Sequence, residues 1–475
     1  MKVLFATSEA YPFFKSGGLG DVSFGLPNAL RKMDTDIRVI MPKYKEIPEQ
    51  YKKKLKKIAK FKVNVGWREQ YCGIEYLEHH GIPFYFVDNE YYFKRPGAYG
   101  YYDDAERFAF FSRAIIEAVK YIDFIPNVLH LNDWQTSMAS VLLNADYKKF
   151  DEYKDIKTIY TIHNLRYQGR YGLDILKDLF NLPYDYYTKD KLEFYNTANF
   201  TKGAIVESDL VTTVSKTYAD EIKYEFYGEG LDGILREKSY KLQGVLNGVD
   251  YHIFDPKTDD KLYHKYDSRN LKNKVKNKME FQKDMGLEVN KDIPILFFIS
   301  RLVEQKGVDL IMHVFEEIMD LNLQFILIGT GDYYYEDFFR RMEEKYKAKF
   351  RGIIEFNNTL AHRIYASGDF CLMPSKFEPC GLTQLIALKY GSLPIVRETG
   401  GLKDTITPYN EYTKEGNGFS FSNYNAHDML YKIKDAINLY NDKKEFKRMV
   451  KNAMDCDFSW KQSALEYKNV YESLF

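Results

Sequence analysis

The 475-residue chain has no net charge, because 68 Lys and Arg balance 68 Asp and Glu. No global field therefore draws it to nucleic acid or to an anionic membrane surface, and a small or neutral partner is expected. Long apolar runs are missing too. No stretch approaches the roughly 18 residues needed to cross a bilayer. The start runs from Met1 straight into Val3-Leu4-Phe5-Ala6-Thr7, without the basic region, apolar stretch and cleavage site of a signal peptide. A soluble, cytoplasmic protein is expected. Cysteine is scarce: Cys72, Cys371, Cys380 and Cys456 are scattered without metal-ligand spacing. That excludes a disulfide framework and fits a reducing compartment.

Hydrophobic residues at 45% and charged residues at 29% describe a globular chain too long for one ordinary core. Two domains are expected. An apolar run at Val3–Thr7, a glycine loop, a helical pattern from Asp21 to about Lys32 and a strand at Ile37–Met41 make a βαβ unit. Further apolar runs at 84–87, 128–131, 158–162 and 210–214 each lead into polar residues. A Lys-rich polar stretch then extends to about Asp292, and a second alternating series places strands at 295–299, 325–328, 353–356, 370–373 and 393–396. The expected fold class is α/β, with two doubly wound, Rossmann-like domains facing across a deep cleft. Their expected bounds are 1–245 and 246–455, with 456–475 forming a helix that returns to the first domain. The basic run Lys52–Lys57 reads as solvated charge on a helix or loop. The 41 tyrosines connect to no chemistry.

Chemistry concentrates where strands end. Lys15-Ser16-Gly17-Gly18-Leu19-Gly20-Asp21 follows the first strand, and side-chain-free backbone at a helix start can approach an anion. The spacing is not Gly-x-Gly-x-x-Gly, and Lys15 precedes the loop instead of lying within it. An NAD-dependent oxidoreductase and a P-loop are thereby excluded. In the second half, Arg301 and Lys306 lie just past a strand, where two fixed cations suit a diphosphate without metal. Pairing with Glu304 or Asp309 is the alternative reading of their charge. The segment Phe377-Glu378-Pro379-Cys380-Gly381-Leu382-Thr383 opens a helix whose first amides suit phosphate, while Glu378 suits sugar hydroxyls. The loops His130–Gln135, Thr161–Asn164 and Asn247-Gly248 add polar groups for a sugar pocket. Two Asp-x-Asp patterns, at 34–36 and 455–457, fall away from these loops, so no metal site is expected.

These motifs, in this order and along essentially the whole chain, resemble the bacterial glycogen synthase and plant starch synthase family of GT-B glycosyltransferases. Tyr160–Asn164, Leu246–Asp250, Ser300-Arg301-Leu302 with Lys306-Gly307, Phe377–Gln384 and Thr399–Thr405 carry the likeness together with the glycine loop. The resemblance implies transfer of glucose from ADP-glucose to the 4-hydroxyl of an α-1,4-glucan with retention, releasing ADP and using no cofactor. It implies that Lys15, Gly17, Gly18 and Gly20 meet the donor phosphates and that Arg301 and Lys306 grip the diphosphate. Gly381, Leu382 and Thr383 complete the donor site. Glu378 would hold glucose hydroxyls, Asp133, His163 and Asn247 would orient the sugar, and Cys380 would lie close without acting as nucleophile. Phe356, ending a strand, would stack on adenine, although Asn357-Asn358-Thr359 departs from the family's usual sequence.

A second departure bears on mechanism. Many related retaining transferases carry Glu eight positions after the equivalent of Glu378, and Ile386 stands there in this chain. A two-carboxylate scheme is unsupported, and front-face transfer is implied. UDP-glucose as donor remains open, since diphosphates look alike whatever the base. A catalytically silent glucan-binding homologue is disfavoured by Lys15, Arg301, Lys306 and Glu378, because a scaffold needs no leaving-group clamp.

Overall fold

The computed structural model describes residues 1–475 as two compact units. One unit comprises Met1–Gly248 together with Trp460–Phe475, and the other Val249–Ser459. No helix is long and apolar enough to cross a membrane.

The first unit is built on a nine-stranded sheet. Its strands are β1 (Lys2–Ala6), β2 (Asp36–Pro42), β3 (Lys56–Val65), β4 (Arg68–His79), β5 (Ile82–Asp88), β6 (Val128–Asn132) and β7 (Lys157–Ile162). After β8 (Arg170–Gly172), β9 (Glu193–Phe194) and β10 (Thr197–Asn199), which form a small separate sheet, come β11 (Leu210–Thr213) and β12 (Leu242–Gly244). The spatial order is β12-β11-β7-β6-β1-β2-β5-β4-β3. From β12 to β5 every pairing is parallel, and β6 and β7 read as apolar runs because helices cover both faces. From β1 the chain builds outward on one side through β2 to β5, then crosses back to β6 on the other side. The carboxyl ends of β1 and β6 therefore flank a topological switch point, where open α/β sheets bind ligands.

Two features of this sheet differ from expectation. The β3–β4 hairpin adds an antiparallel edge to a sheet expected to be parallel. The basic run does not lie on one helix or loop: Lys52 ends a short helix, whereas Lys56 and Lys57 start the edge strand. Exposed lysines along a free edge oppose pairing with another chain. The first helix also begins earlier than Asp21, at Gly18, and runs to Arg31.

The C-terminal helix, Trp460–Glu472, lies in the first unit. Gly25 gives it room, because a Cβ there would sit 2.0 Å from Trp460 Nε1. Tyr471 Oη is 2.8 Å from His130 Nδ1, and Ser463 Oγ donates to the Leu246 carbonyl at 2.6 Å.

The second unit holds six parallel strands. They are β13 (Ile295–Ile299), β14 (Gln324–Ile328), β15 (Phe350–Ile353), β16 (Phe370–Met373), β17 (Leu393–Arg397) and β18 (Phe419–Phe421), in spatial order β15-β14-β13-β16-β17-β18. The switch point lies between β13 and β16. β15 ends at Ile353, so Phe356 follows the strand by three residues instead of ending it. The Lys-rich stretch also hides a helix, Lys272–Asp284. Lys274 is buried there, with the carbonyls of Ala366, Gly368 and Tyr390 at 3.0–3.1 Å from its ammonium. Lys278 pairs with the buried Asp369 at 2.7 Å. Charge counting along the sequence cannot see such lysines, because a buried cation is told from a solvated one only by its acceptors.

Candidate functional site

At the carboxyl end of β1, the chain passes through Thr7-Ser8-Glu9 to the glycine loop and the Gly18–Arg31 helix. Gly17 precedes that helix in extended conformation, and no side chain caps it. A Cβ on Gly17 or Gly18 would meet nothing within 4 Å, so neither glycine is demanded by protein packing. The open space suits a ligand approaching the backbone. Gly20 differs, since a Cβ there would press on Lys15 at 2.9 Å. The loop is not wholly available to an anion. Glu9, 4% exposed, accepts from the Ser16 and Gly17 N–H groups at 2.5 and 3.3 Å. Lys15 is paired with Asp21 at 2.6 Å.

Across the switch point, β6 ends at Asn132, and Asp133 follows it at the start of the Trp134–Leu142 helix. Asp133 has φ +57°, a conformation costly for a side-chain-bearing residue and concentrated at functional sites. Its Oδ1 accepts from the His163 N–H at 2.8 Å, which joins the β6 loop to the β7 loop. Burial pushes the Asp133 carboxyl up to about 7 despite the N–H bonds from His163 and Asn164. Burial also holds the His163 imidazole down at about 3, so it is neutral. Its tautomer follows from its neighbour. Asn132 donates Nδ2 to the Ala6 carbonyl at 3.0 Å, so its Oδ1 must accept from His163 Nε2 at 2.9 Å. The Nδ1 lone pair then remains to accept from a hydroxyl. His130 is purely structural, tied to Tyr471 and Thr161. Gln135 Oε1 and Asn247 Oδ1 are buried without a partner, an arrangement tolerated where a ligand or water completes the set.

In the second unit, Arg301 follows β13 and is exposed, its guanidinium in no hydrogen bond or ion pair with the protein. Lys306 is paired neither with Glu304 nor with Asp309. Its ammonium lies 2.6 Å from Glu378 Oε2, and Ser375 Oγ donates to the same oxygen at 3.0 Å. Glu304 instead pairs with Lys376, and Asp309 accepts from Tyr424. The loops of β13 and β16 are thus joined across the switch point. Gly307, φ +72°, sits where a Cβ would be 2.1 Å from the Pro374 carbonyl. Gly400 and Gly401 likewise lie against the carbonyls of Glu378 and Cys380 at 2.0 and 2.1 Å to a built Cβ. The glycines of Thr399–Thr405 are explained by this backing of the Glu378 loop.

Glu378 is 5% exposed, and Cys380 is buried at 6% and in no disulfide. Gly381 has φ +74°, and the following seven-residue helix starts at Thr383, with Leu382 as an N-cap that offers no side-chain bond. Phe356 is 92% exposed on the loop after β15, the outermost strand on the β13 side.

Comparison with known proteins gives the family. Residues 2–237 match the starch synthase catalytic domain family, and residues 280–455 match glycosyl transferases group 1. A glycogen synthase of Clostridium acetobutylicum is 54% identical over 476 residues, covering 100% of both chains. The chain belongs to the glycogen synthase and starch synthase family. It is a glycosyltransferase with the GT-B fold of that family. A glycogen synthase of Caldicellulosiruptor bescii is 51% identical, over 100% of this chain and 99% of the relative. Among solved structures, the catalytic domain of starch synthase IV from Arabidopsis thaliana, bound to ADP and acarbose, superposes with TM-score 0.92 at 32% identity. That match covers 100% of this chain and 99% of the plant domain. A sucrose-phosphate synthase from Thermosynechococcus elongatus, at TM-score 0.61 and 14% identity, shares the fold alone.

Within this family frame, sequence reasoning missed Glu9, Asn132 and Ser375 as supports of the candidate residues. Glu9 carried a signal, being an acid just beyond a buried strand. Ser375 and Asn132 carried none beyond their place in the motifs.

Proposed function

We propose that the protein transfers glucose from ADP-glucose to the non-reducing-end 4-hydroxyl of an α-1,4-glucan, with retention of configuration and release of ADP. The observation that carries this reading is the Lys306–Glu378 contact at the β13–β16 switch point, with Arg301 earlier on the same loop after β13. A cation suited to a departing diphosphate there lies against a carboxylate suited to sugar hydroxyls, in a chain related to a domain bound to ADP and acarbose.

In this reading Arg301 and Lys306 neutralise charge on the departing diphosphate, with the amides of Gly381, Leu382 and Thr383. Gly17, Gly18, Gly20 and Lys15 are assigned to the donor phosphates. Phe356 stacks on the adenine. Glu378 accepts from glucose hydroxyls, Asn247 uses its orphaned Oδ1, and neutral His163 offers Nδ1 to a hydroxyl. Asp133 holds the His163 loop. The bond from the anomeric carbon to the phosphate oxygen breaks, its electron pair leaving with ADP, and the acceptor O4 bonds to that carbon on the same face. The acceptor proton passes to a departing phosphate oxygen. Ile386, buried at 7%, stands eight residues past Glu378 and offers no second carboxylate. No step calls for a metal, because the two cations and the helix-start amides meet the diphosphate charge. Four cysteines outside any disulfide suit a cytoplasmic place of work.

The test supplies purified protein with maltooligosaccharide and either ADP-glucose or UDP-glucose, following chain length and nucleotide release. Elongation with ADP-glucose and an α-configured new linkage is expected. Better transfer from UDP-glucose would overturn the donor assignment, and glucan binding without transfer from either would overturn the enzyme reading.

A further inference from the structure

The glycine loop is exposed at Ser16, Gly17 and Gly18, and a Cβ added to either glycine would meet nothing within 4 Å. Such a segment would be mobile without a tether. It has one from below. The Glu9 carboxylate is buried, and Oε2 accepts from the Ser16 and Gly17 N–H groups at 2.5 and 3.3 Å, while Oε1 accepts from Ser16 Oγ at 3.0 Å. Tyr99, from the segment before the Asp104–Ala118 helix, donates its hydroxyl to Oε1 at 3.1 Å and lies 2.7 Å from Ser8 Oγ. Thr7 Oγ1 donates to the Glu9 carbonyl at 2.9 Å, fixing the backbone from which the carboxylate projects.

We infer that Glu9 is a positioning residue for the glycine loop: steadied by Tyr99, it holds Ser16 and Gly17 so that the uncapped helix start beyond them is pre-arranged for the donor. This rests on the proposed assignment of the loop to the donor. Two N–H groups and a hydroxyl held by one side chain order the loop in advance, which removes an entropic cost from the binding step. The carboxylate is turned away from the open side of the loop by its own partners, so it acts through Ser16 and Gly17 without touching substrate. Gln can reproduce this pattern. Its oxygen would accept from both N–H groups, and its amide would donate to the hydroxyl oxygens of Ser16 and Tyr99.

The experiment compares Glu9→Ala, Glu9→Gln and Tyr99→Phe with the wild-type protein. It measures KM for ADP-glucose and for maltooligosaccharide, and hydrogen exchange at the Ser16 and Gly17 amides. Glu9→Ala is expected to raise the donor KM about tenfold or more, leave the acceptor KM within about twofold, and speed exchange at both amides. Glu9→Gln is expected to stay within about threefold of wild type, and Tyr99→Phe to fall between the two. Equal impairment in Glu9→Gln and Glu9→Ala would mean that the charge itself acts, and would overturn the inference. So would an unchanged donor KM, or unchanged amide exchange, in Glu9→Ala. If Glu9→Ala does not fold, Tyr99→Phe decides, since it removes one hydroxyl and leaves the ring. Wild-type protein inert toward ADP-glucose would sink the functional reading alone, and amide exchange would still judge the tether.

Discussion

Lys306 and Glu378, 72 residues apart in sequence, are joined by a 2.6 Å contact between Nζ and Oε2, with both side chains largely shielded from water. Each neutralises the other, so a donor entering this site would have to share or replace the contact. Removing one partner leaves the other charge unpaired, whereas removing both does not. Lys306→Ala and Glu378→Gln should therefore each lower the melting temperature, and the double variant should lose less than their sum. The expected coupling is on the order of 0.5–3 kcal/mol by a double-mutant cycle in denaturant. Additive losses would show the contact to be incidental. Turnover should fall about a hundredfold or more in Lys306→Ala, the usual cost of one lost charge-stabilising group.

Arg301 offers the contrasting case, because no partner in the protein depends on its charge. Arg301→Ala should leave unfolding free energy within about 0.5 kcal/mol of wild type, as for an ordinary surface substitution. Turnover should drop about a hundredfold. A protein that is both stable and fully active would remove Arg301 from the diphosphate clamp.

The Asp133 carboxyl gives stability a pH signature. Its folded-state value of about 7 lies above the ordinary 3.8, so the native state binds the extra proton between those limits. This group's contribution is fully present below about pH 4 and is lost as pH rises through 7. Asp133→Asn keeps an acceptor for the His163 N–H but cannot titrate. Its melting temperature relative to wild type should therefore climb between pH 4 and 7.5. A constant difference across that window would contradict the burial of the carboxyl.

Phe356 is so exposed that its ring contributes little to the fold. Phe356→Ala should raise the donor KM roughly tenfold, the scale of one base stack, with no change in thermal stability. Equal KM values for ADP-glucose before and after the change would place the adenine elsewhere.

Gly401→Ala tests the backing of the Glu378 loop, since the added Cβ would fall 2.1 Å from the Cys380 carbonyl. Turnover should fall at least tenfold although the residue meets no ligand in the proposed reading, because small displacements of reacting groups are costly. An unimpaired variant would show that the loop yields without moving Glu378.

Much of this was legible in the chain. A parallel strand buried on both faces is written as a short apolar run, and the loop at its carboxyl end as glycine, lysine, histidine or acid, so β1, β6, β7, β13 and β16 and their motifs stood out. The antiparallel β3–β4 hairpin did not, because its lysine-rich edge is half solvated and reads like any polar stretch. The buried lysines of residues 272–284 were hidden for a related reason: Lys274 is held by backbone carbonyls, which every residue has, and Lys278 by Asp369, 91 positions away. What the sequence by itself determined was the pair of α/β sheets and the chemical kinds of group at their strand ends. Only the tertiary structure decided how those groups are used before a ligand arrives, with Lys306 on Glu378, Lys15 on Asp21 and Glu9 beneath the glycine loop. Those pairings are set by distances of under 3 Å between side chains or amides several to many positions apart, and local sequence pattern carries no record of them.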